Sequence, residues 1–525
     1  MLFNSYAFIL CFLPIAVTGF FLLGKYNHRL AASWLAAASL FFYAWWDYHI
    51  VYVLVLSVLF NYSCGYLIWT SRSVRKKRLF ITLGIAGDLS VLGFFKYVNF
   101  FIDTTNQLLA NQHIGLPTLS VVLPLGISFF TFTQIAYLVD IFRDEARHKK
   151  LIHYVLFVTY FPHLIAGPLI HHKQVMPQFA KDSCYRPDAE NIARGITIFC
   201  LGLFKKVIIA DNLAVYANGI FNAVHAGGQP ALLEAWSGGL AYALQIYFDF
   251  SGYSDMAIGL SLLFNIRMPI NFDSPYKSSS IIEFWRRWHM TLSAFLRDYL
   301  YIPLGGNRGS KLLRYRNLML TMLLGGLWHG AGWTFIIWGG LHGLYLSVNH
   351  LWQEVRQRYG IDIVPAGIAK PLAITITFLL VALAWIAFRA QNVATMLEFY
   401  RGMFGVNGIS LPGSLQPYFH GMWESLIRFE GATPLAAQQH LSLLYMLFWI
   451  MLGLTLIFGM PNLQQWTGYT PNISVIAPES GVQSQAPAPL GRWKPSLASG
   501  LLVATVFITA FLYLGRDSPF LYFQF

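Results

Sequence analysis

Two histidines are the residues of this chain best placed to do chemistry. His329 lies in Gly325-Gly326-Leu327-Trp328-His329-Gly330-Ala331-Gly332, inside an otherwise apolar segment. An ionisable side chain at membrane depth is costly and points to function by default. The glycines around it let a backbone or a ligand approach closely, and they also weaken the helix. An imidazole shielded from water stays neutral and can accept a proton. The competing role is a packing histidine bonded to a neighbouring carbonyl, and residue type alone does not separate the two.

His289 closes the run Glu283-Phe284-Trp285-Arg286-Arg287-Trp288-His289. Written as one helix, Trp285, Trp288, Leu292, Phe295, Leu296 and Tyr299 form an apolar stripe, with Arg286, Ser293 and Arg297 on another face. Glu283 is spaced to pair with Arg287. The pattern predicts an interfacial or re-entrant amphipathic helix with His289 at the edge of the stripe. A membrane-surface helix carrying a bystander histidine fits the same residues.

Asp249 and Asp255 are set in the apolar run Gln245 to Asp255 and need donors, for which Tyr, Ser and the nearby arginines are candidates. Pro303 to Lys311 looks superficially like a phosphate loop but lacks G-x-x-x-x-G-K-[ST], so a polar turn is expected. Its Arg308, with Lys311, Arg314 and Arg316, could still attract the phosphates of a cytosolic donor. There is no H-E-x-x-H, no G-x-S-x-G and no strand-to-helix G-x-G-x-x-G. His171-His172 has no carboxylate at ligand spacing in the sequence, so no metal is expected there. The four cysteines form no C-x-x-C pair.

The elements that must position these residues follow from composition. Of 525 residues 56% are hydrophobic, 17% aromatic and only 11% charged, whereas soluble domains carry about 25% charged residues. Too little charge remains to coat a soluble protein of this length, and disorder or a disulfide scaffold is excluded. The fold class is therefore all-α and polytopic. Apolar runs fall near 7–24, 31–46, 50–69, 79–101 and 120–142. Lys and Arg follow the first, third and fifth, and the loops between hold none, which puts the amino terminus outside and the basic loops in the cytoplasm. The net charge of +13 fits basic loops beside anionic lipid headgroups better than nucleic-acid binding. After residue 150 the segments 151–170, 192–210, 237–264 and 317–348 are interrupted, as broken helices around a site would be. Further spans are expected at 371–388, 441–459 and 497–514, separated by a polar, proline-rich linker over 462–495. No internal repeat suggests an inverted-repeat transporter.

Taken together, Leu123 to Phe132, Phe161 to Pro168, Tyr247 to Gly259, Glu283 to His289 and Leu324 to Gly330 resemble the membrane-bound O-acyltransferase family, in its polysaccharide-acetylating branch. The ending Ser518 to Phe525 is similar to the same branch. The resemblance implies a ring of tilted helices with re-entrant segments around a central tunnel. It implies a membrane core over 1–390, additional helices over 391–515 and an aromatic tail over 516–525. By the same likeness His329 is the active-site histidine and His289 the second histidine of the tunnel. Arg286, Asn307, Arg308, Asp249 and Trp328 are candidates for lining it or binding donor.

The implied activity is transfer of acetyl from a cytoplasmic thioester, acetyl-CoA or an acyl carrier, across the bacterial inner membrane to an exopolysaccharide such as alginate or cellulose. His329 would act as base or carry the acetyl group transiently. No tightly bound cofactor is implied. An SGNH-type partner on the outer side is implied, and the exposed, apolar tail after Ser518 is expected to dock it. D-alanyl, peptidoglycan or lipid acyl transfer would suit the same scaffold, and a transporter or scaffold without chemistry is the reading from another class.

Overall fold

In a computed structural model of the chain, the described residues are 1–109, 115–146, 150–360, 365–411, 416–417, 427–428, 443–471, 492–516 and 520–521. Almost every element among them is helical. In chain order the helices are α1 (Leu13–Tyr26), α2 (His28–Ala44), α3 (Val51–Thr70), α4 (Val74–Leu92), α5 (Val98–Leu109), α6 (Ile127–Phe142), α7 (Leu151–Thr159), α8 (Phe161–Leu164), α9 (His172–Phe179) and α10 (Ala189–Phe204). They continue with α11 (Asp211–His225), α12 (Leu232–Leu263), α13 (Ile281–Arg287), α14 (Met290–Leu296), α15 (Lys311–His329), α16 (Trp333–Tyr359), α17 (Ala366–Arg389) and α18 (Val393–Met403). The last are α19 (Leu443–Gly459), α20 (Leu463–Thr467) and α21 (Leu497–Leu512). The strands described, Ile409–Ser410 and Ile427–Arg428, pair in parallel with Ile409 opposite Ile427.

Local chemistry places the helix ends. Pro14, which lacks an N–H, sits where the π-helical stretch Ala7–Phe12 passes into α1. Asn27, Ser280, Ser310 and Asn392 accept backbone N–H groups at the starts of α2, α13, α15 and α18. Ala7–Tyr26, Tyr48–Thr70, Val74–Leu109 and Gly367–Arg389 are long and apolar enough to cross a bilayer. Large apolar side chains such as Ile15, Leu22, Leu56 and Phe101 remain exposed on them, as lipid-facing surfaces require. The chain is thus an all-α, multi-pass membrane protein.

The chain divides into two compact units, and each draws on segments either side of residue 390. The first comprises Met1–Leu203, Tyr253–Asn271 and Leu463–Arg516. Its core contains a ring cluster of Phe3, Phe8, Phe12, Phe42 and Phe161, with Phe12 edge-on to Phe161 at 5.2 Å. The second comprises Phe204–Gly252, Phe272–Asn462 and Asp517–Phe525. In it Trp288, Trp338 and Trp385 are almost fully buried, with Trp385 4.9 Å from Trp288 and 5.7 Å from Trp338. Much of the polar linker, residues 472–491, lies outside the described residues.

The apolar segment 317–348 is a hairpin. Helix α15 ends at His329 and α16 begins at Trp333. The two pack along each other because Gly326 and Gly339 have no side chains. A Cβ on Gly326 would collide with the Phe335 carbonyl, and one on Gly339 with the Met322 carbonyl. The close approach expected of these glycines is met by backbone against backbone.

Candidate active site

His289 does not lie on one continuous helix. The expected amphipathic helix through residue 299 is broken into α13 and α14, and His289 stands at the break in the left-handed region, φ 42° and ψ 53°. Histidine is among the few non-glycine residues that tolerate this region. Such strained backbone is concentrated at functional sites. The break is stabilised from one side by Trp288, whose N–H still donates to the Phe284 carbonyl while its indole packs on Phe272 and Trp385. Trp288 and His289 are buried side by side, at 2% and 0% exposure. The expected pair holds: Arg287 Nε donates to Glu283 Oε1 at 3.1 Å.

His329 reaches the same neighbourhood from the end of α15. Its ring centroid is 4.9 Å from Trp328, 5.1 Å from Trp338 and 5.2 Å from Phe388. The His289 ring lies 6.3 Å from the Trp328 ring and 4.8 Å from Phe250. Trp328 is therefore a neighbour of both imidazoles, and all three residues are buried. Two nitrogen heterocycles in an aromatic shell can exchange protons with a reacting group and exclude bulk water while doing so.

The other predicted residues separate into two groups. Asp249 is almost fully buried, and its Oδ1 is 2.9 Å from Lys206 Nζ, which is also 2.6 Å from Asp211 Oδ1. The side-chain donor to Asp249 is thus a lysine rather than the Tyr, Ser or arginine expected. Lys206 occupies a π-helical turn, Lys205–Ala210, of the kind common at functional positions. The neighbouring Phe250 carries the contact to His289. Asp255, in the first unit, accepts from Gln464 Nε2 at 2.8 Å.

Arg286, Asn307 and Arg308 are exposed, so the structure does not bury them beside the histidines. Asn307 Oδ1 accepts from the Tyr301 hydroxyl at 2.6 Å. Of the basic residues beyond them, Lys311 and Arg314 both bind Glu354, each at 2.6 Å. Arg316 Nη2 donates to Asn317 Oδ1 at 2.9 Å.

The carboxyl-terminal tail corrects a further expectation. Phe520 and Leu521, expected to be exposed, are 2% and 3% exposed. The Leu521 N–H donates to Asp249 Oδ2 at 3.1 Å, and the Phe520 ring lies 6.2 Å from Phe250. An apolar tail that can bury itself against an anchored carboxylate loses less by doing so than by facing water. Residues 522–525 lie outside the described residues.

Sequence reasoning missed His342. It is fully buried on α16, 4.9 Å from Trp338, and its Nδ1 accepts from Trp285 Nε1 at 3.2 Å. The signal was present, since His342 follows Gly339-Gly340-Leu341 inside an apolar run much as His329 follows its own glycines. Lys206 was missed too, although a lysine within the apolar run 192–210 calls for an acidic partner.

The sequence pattern of the membrane-bound O-acyltransferase (MBOAT) family matches residues 125–382, which include both site histidines and His342. The chain is 45% identical to the peptidoglycan O-acetyltransferase of Helicobacter pylori, over 78% of this chain and 81% of that protein. It is 38% identical to the probable alginate O-acetylase AlgI of Pseudomonas aeruginosa over 100% of both chains. The teichoic acid D-alanyltransferase of Streptococcus thermophilus is 29% identical over 50% of this chain and 68% of that one.

Proposed function

The chain belongs to the membrane-bound O-acyltransferase family, and from that premise we propose that it takes acetyl from cytoplasmic acetyl-CoA and passes it across the inner membrane for O-acetylation of a cell-envelope or secreted polysaccharide. Membrane O-acetyltransferase activity agrees with the names of the relatives that align over most or all of the chain. The final acceptor is a carbohydrate hydroxyl, as alginate and peptidoglycan, the polymers in two relatives' names, both offer.

His329 is the base in this reading. It takes the proton of the acceptor hydroxyl as that oxygen bonds to the thioester carbonyl carbon. The tetrahedral intermediate then collapses, the C–S bond breaks, and the thiolate leaves and collects the proton from His329. His289 donates from its ring N–H to the developing oxyanion. The observation that carries the reading is the shared Trp328 ring, which brings both imidazoles into one buried shell. Donor enters from the side of the basic loops that follow α1, α3 and α6, with the amino terminus outside. The hydroxyl acetylated in the His329 step belongs to the nucleophilic serine of an outward-facing SGNH-type partner, which then passes the acetyl to the polymer. With Phe520 and Leu521 buried, that partner is met by surfaces other than those two residues.

Mass spectrometry of the envelope and secreted polysaccharides from cells with and without the intact chain tests the proposal. Acetyl esters that depend on the chain support it. A dependence on D-alanyl esters, or unchanged acetylation of every polymer, contradicts it.

A further inference from the structure

In the first unit, a buried carboxylate stands between two adjacent imidazoles, where the linear sequence had suggested none. Asp140, in the last turn of α6, is 1% exposed. Its Oδ2 is 2.6 Å from His171 Nε2 and 3.3 Å from His172 Nδ1. The three ligand atoms lie within 4.8 Å of one another. Each residue is held by its own element. The Asp140 carbonyl accepts the Glu145 and Ala146 N–H groups that close the turn after α6. His171 caps α9 through Nδ1, which accepts the Lys173 N–H, in a capping box with Gln174. His172 packs edge-on against Tyr137 and Phe157. The His171 side chain is 29% exposed, which leaves a path from solvent to the convergent atoms.

We propose that Asp140, His171 and His172 form a divalent metal site of the zinc class. Two imidazole nitrogens and one carboxylate oxygen are a ligand set that suits Zn²⁺. Metal bonds of about 2.0–2.2 Å in a tetrahedron set ligand atoms about 3.3 Å apart, the spacing already present between Asp140 and His172. The shorter contact to His171, 2.6 Å, is a hydrogen bond in which Nε2 donates its proton to Asp140. Metal binding at Nε2 moves that proton to Nδ1 by exchange with solvent, so the His171 ring stays a neutral ligand, opens its contact to Asp140 and gives up the cap on Lys173. A water molecule takes the fourth position on the exposed side. The site clamps the end of α6 to the start of α9 and takes no part in acyl transfer.

Metal content of the full chain, purified in detergent without a polyhistidine tag, tests the site with Zn²⁺ or Co²⁺ alone. After exposure to Zn²⁺ and removal of excess, about one equivalent is expected to remain by mass spectrometry. It should fall to background in Asp140→Asn, in His171→Gln and in His172→Ala. Co²⁺ should give the visible bands of a tetrahedral complex, lost in the same variants. Should a variant fail to accumulate, the unaltered protein still decides the matter: chelation lowers its melting temperature and Zn²⁺ restores it. Zinc at background in the unaltered protein, zinc retained in the variants, or a melting temperature indifferent to chelator overturns the proposal and leaves a hydrogen-bonded Asp–His pair.

Discussion

His289 and His329 share one neighbour, the Trp328 indole, whose ring centre lies 6.3 Å from the first imidazole and 4.9 Å from the second. The two histidines come from different kinds of chain ending. One stands at a left-handed break between short helices, the other on the last residue of α15. Trp328 is the ring that borders both.

Replacing that ring should therefore uncouple them. Trp328→Ala is expected to lower acetyl transfer by about 10²-fold, the order of loss that follows a small misplacement of catalytic groups. Trp328→Phe, which keeps an aromatic face, should retain most of the activity. Initial rates of acetyl ester formation in isolated membranes report the difference.

The buried Lys206 is expected to be more important for stability than its distance from the histidines suggests. It lies between Asp249 and Asp211, so Lys206→Met leaves a buried carboxylate without its cation. Breaking such a pair costs about 3–5 kcal/mol. Thermal unfolding of the purified protein should register the loss, and adding Asp249→Asn should recover part of it.

The contact between α15 and α16 permits no methyl group at its centre. Gly326→Ala is expected to destabilise by about 1–3 kcal/mol through overpacking, because the new carbon would meet the Phe335 carbonyl. Gly367→Ala, where the space is open, should be near neutral in the same melting experiment.

Glu283 gives the break at His289 a pH dependence. Burial pushes its carboxyl up, but the Ser279 N–H and hydroxyl and the Arg287 guanidinium outweigh that and hold it below the usual carboxylate range. A depressed value means stabilisation that is present above the ordinary carboxylate pKa of about 4.3 and lost as pH falls through the folded value. Glu283→Gln should thus be less stable than the unaltered protein at neutral pH by less than about 1 kcal/mol, since the side chain is partly exposed. The difference should close in acid.

How far the sequence reached depended on the range of the interaction. The apolar runs near 7–24, 50–69, 79–101 and 371–388 correspond to helices long enough to span, because hydrophobic length is a local property. Close approach near His329 was legible through its glycines, but not that the segment 317–348 turns back on itself there. The break at His289 was not, since the helical pattern of Trp285, Trp288 and Leu292 runs straight through it and no glycine or proline marks the left-handed residue. Partners far apart in the chain were equally hidden. Asp249 with Lys206, Leu521 with Asp249, and Asp140 with the two histidines are juxtapositions that tertiary folding alone creates. The tail looked exposed because an apolar terminus carries no record of what it will cover.

The central claim is that His329 moves the acceptor's proton, and one measurement meets it directly. Acetyl transfer from labelled acetyl-CoA to polysaccharide should be followed in membranes carrying equal amounts of the unaltered chain and of His329→Ala. A positioned base contributes about 10²–10⁴-fold, so a loss of at least that size is predicted with membrane insertion intact. Transfer by His329→Ala at the unaltered rate would contradict the account.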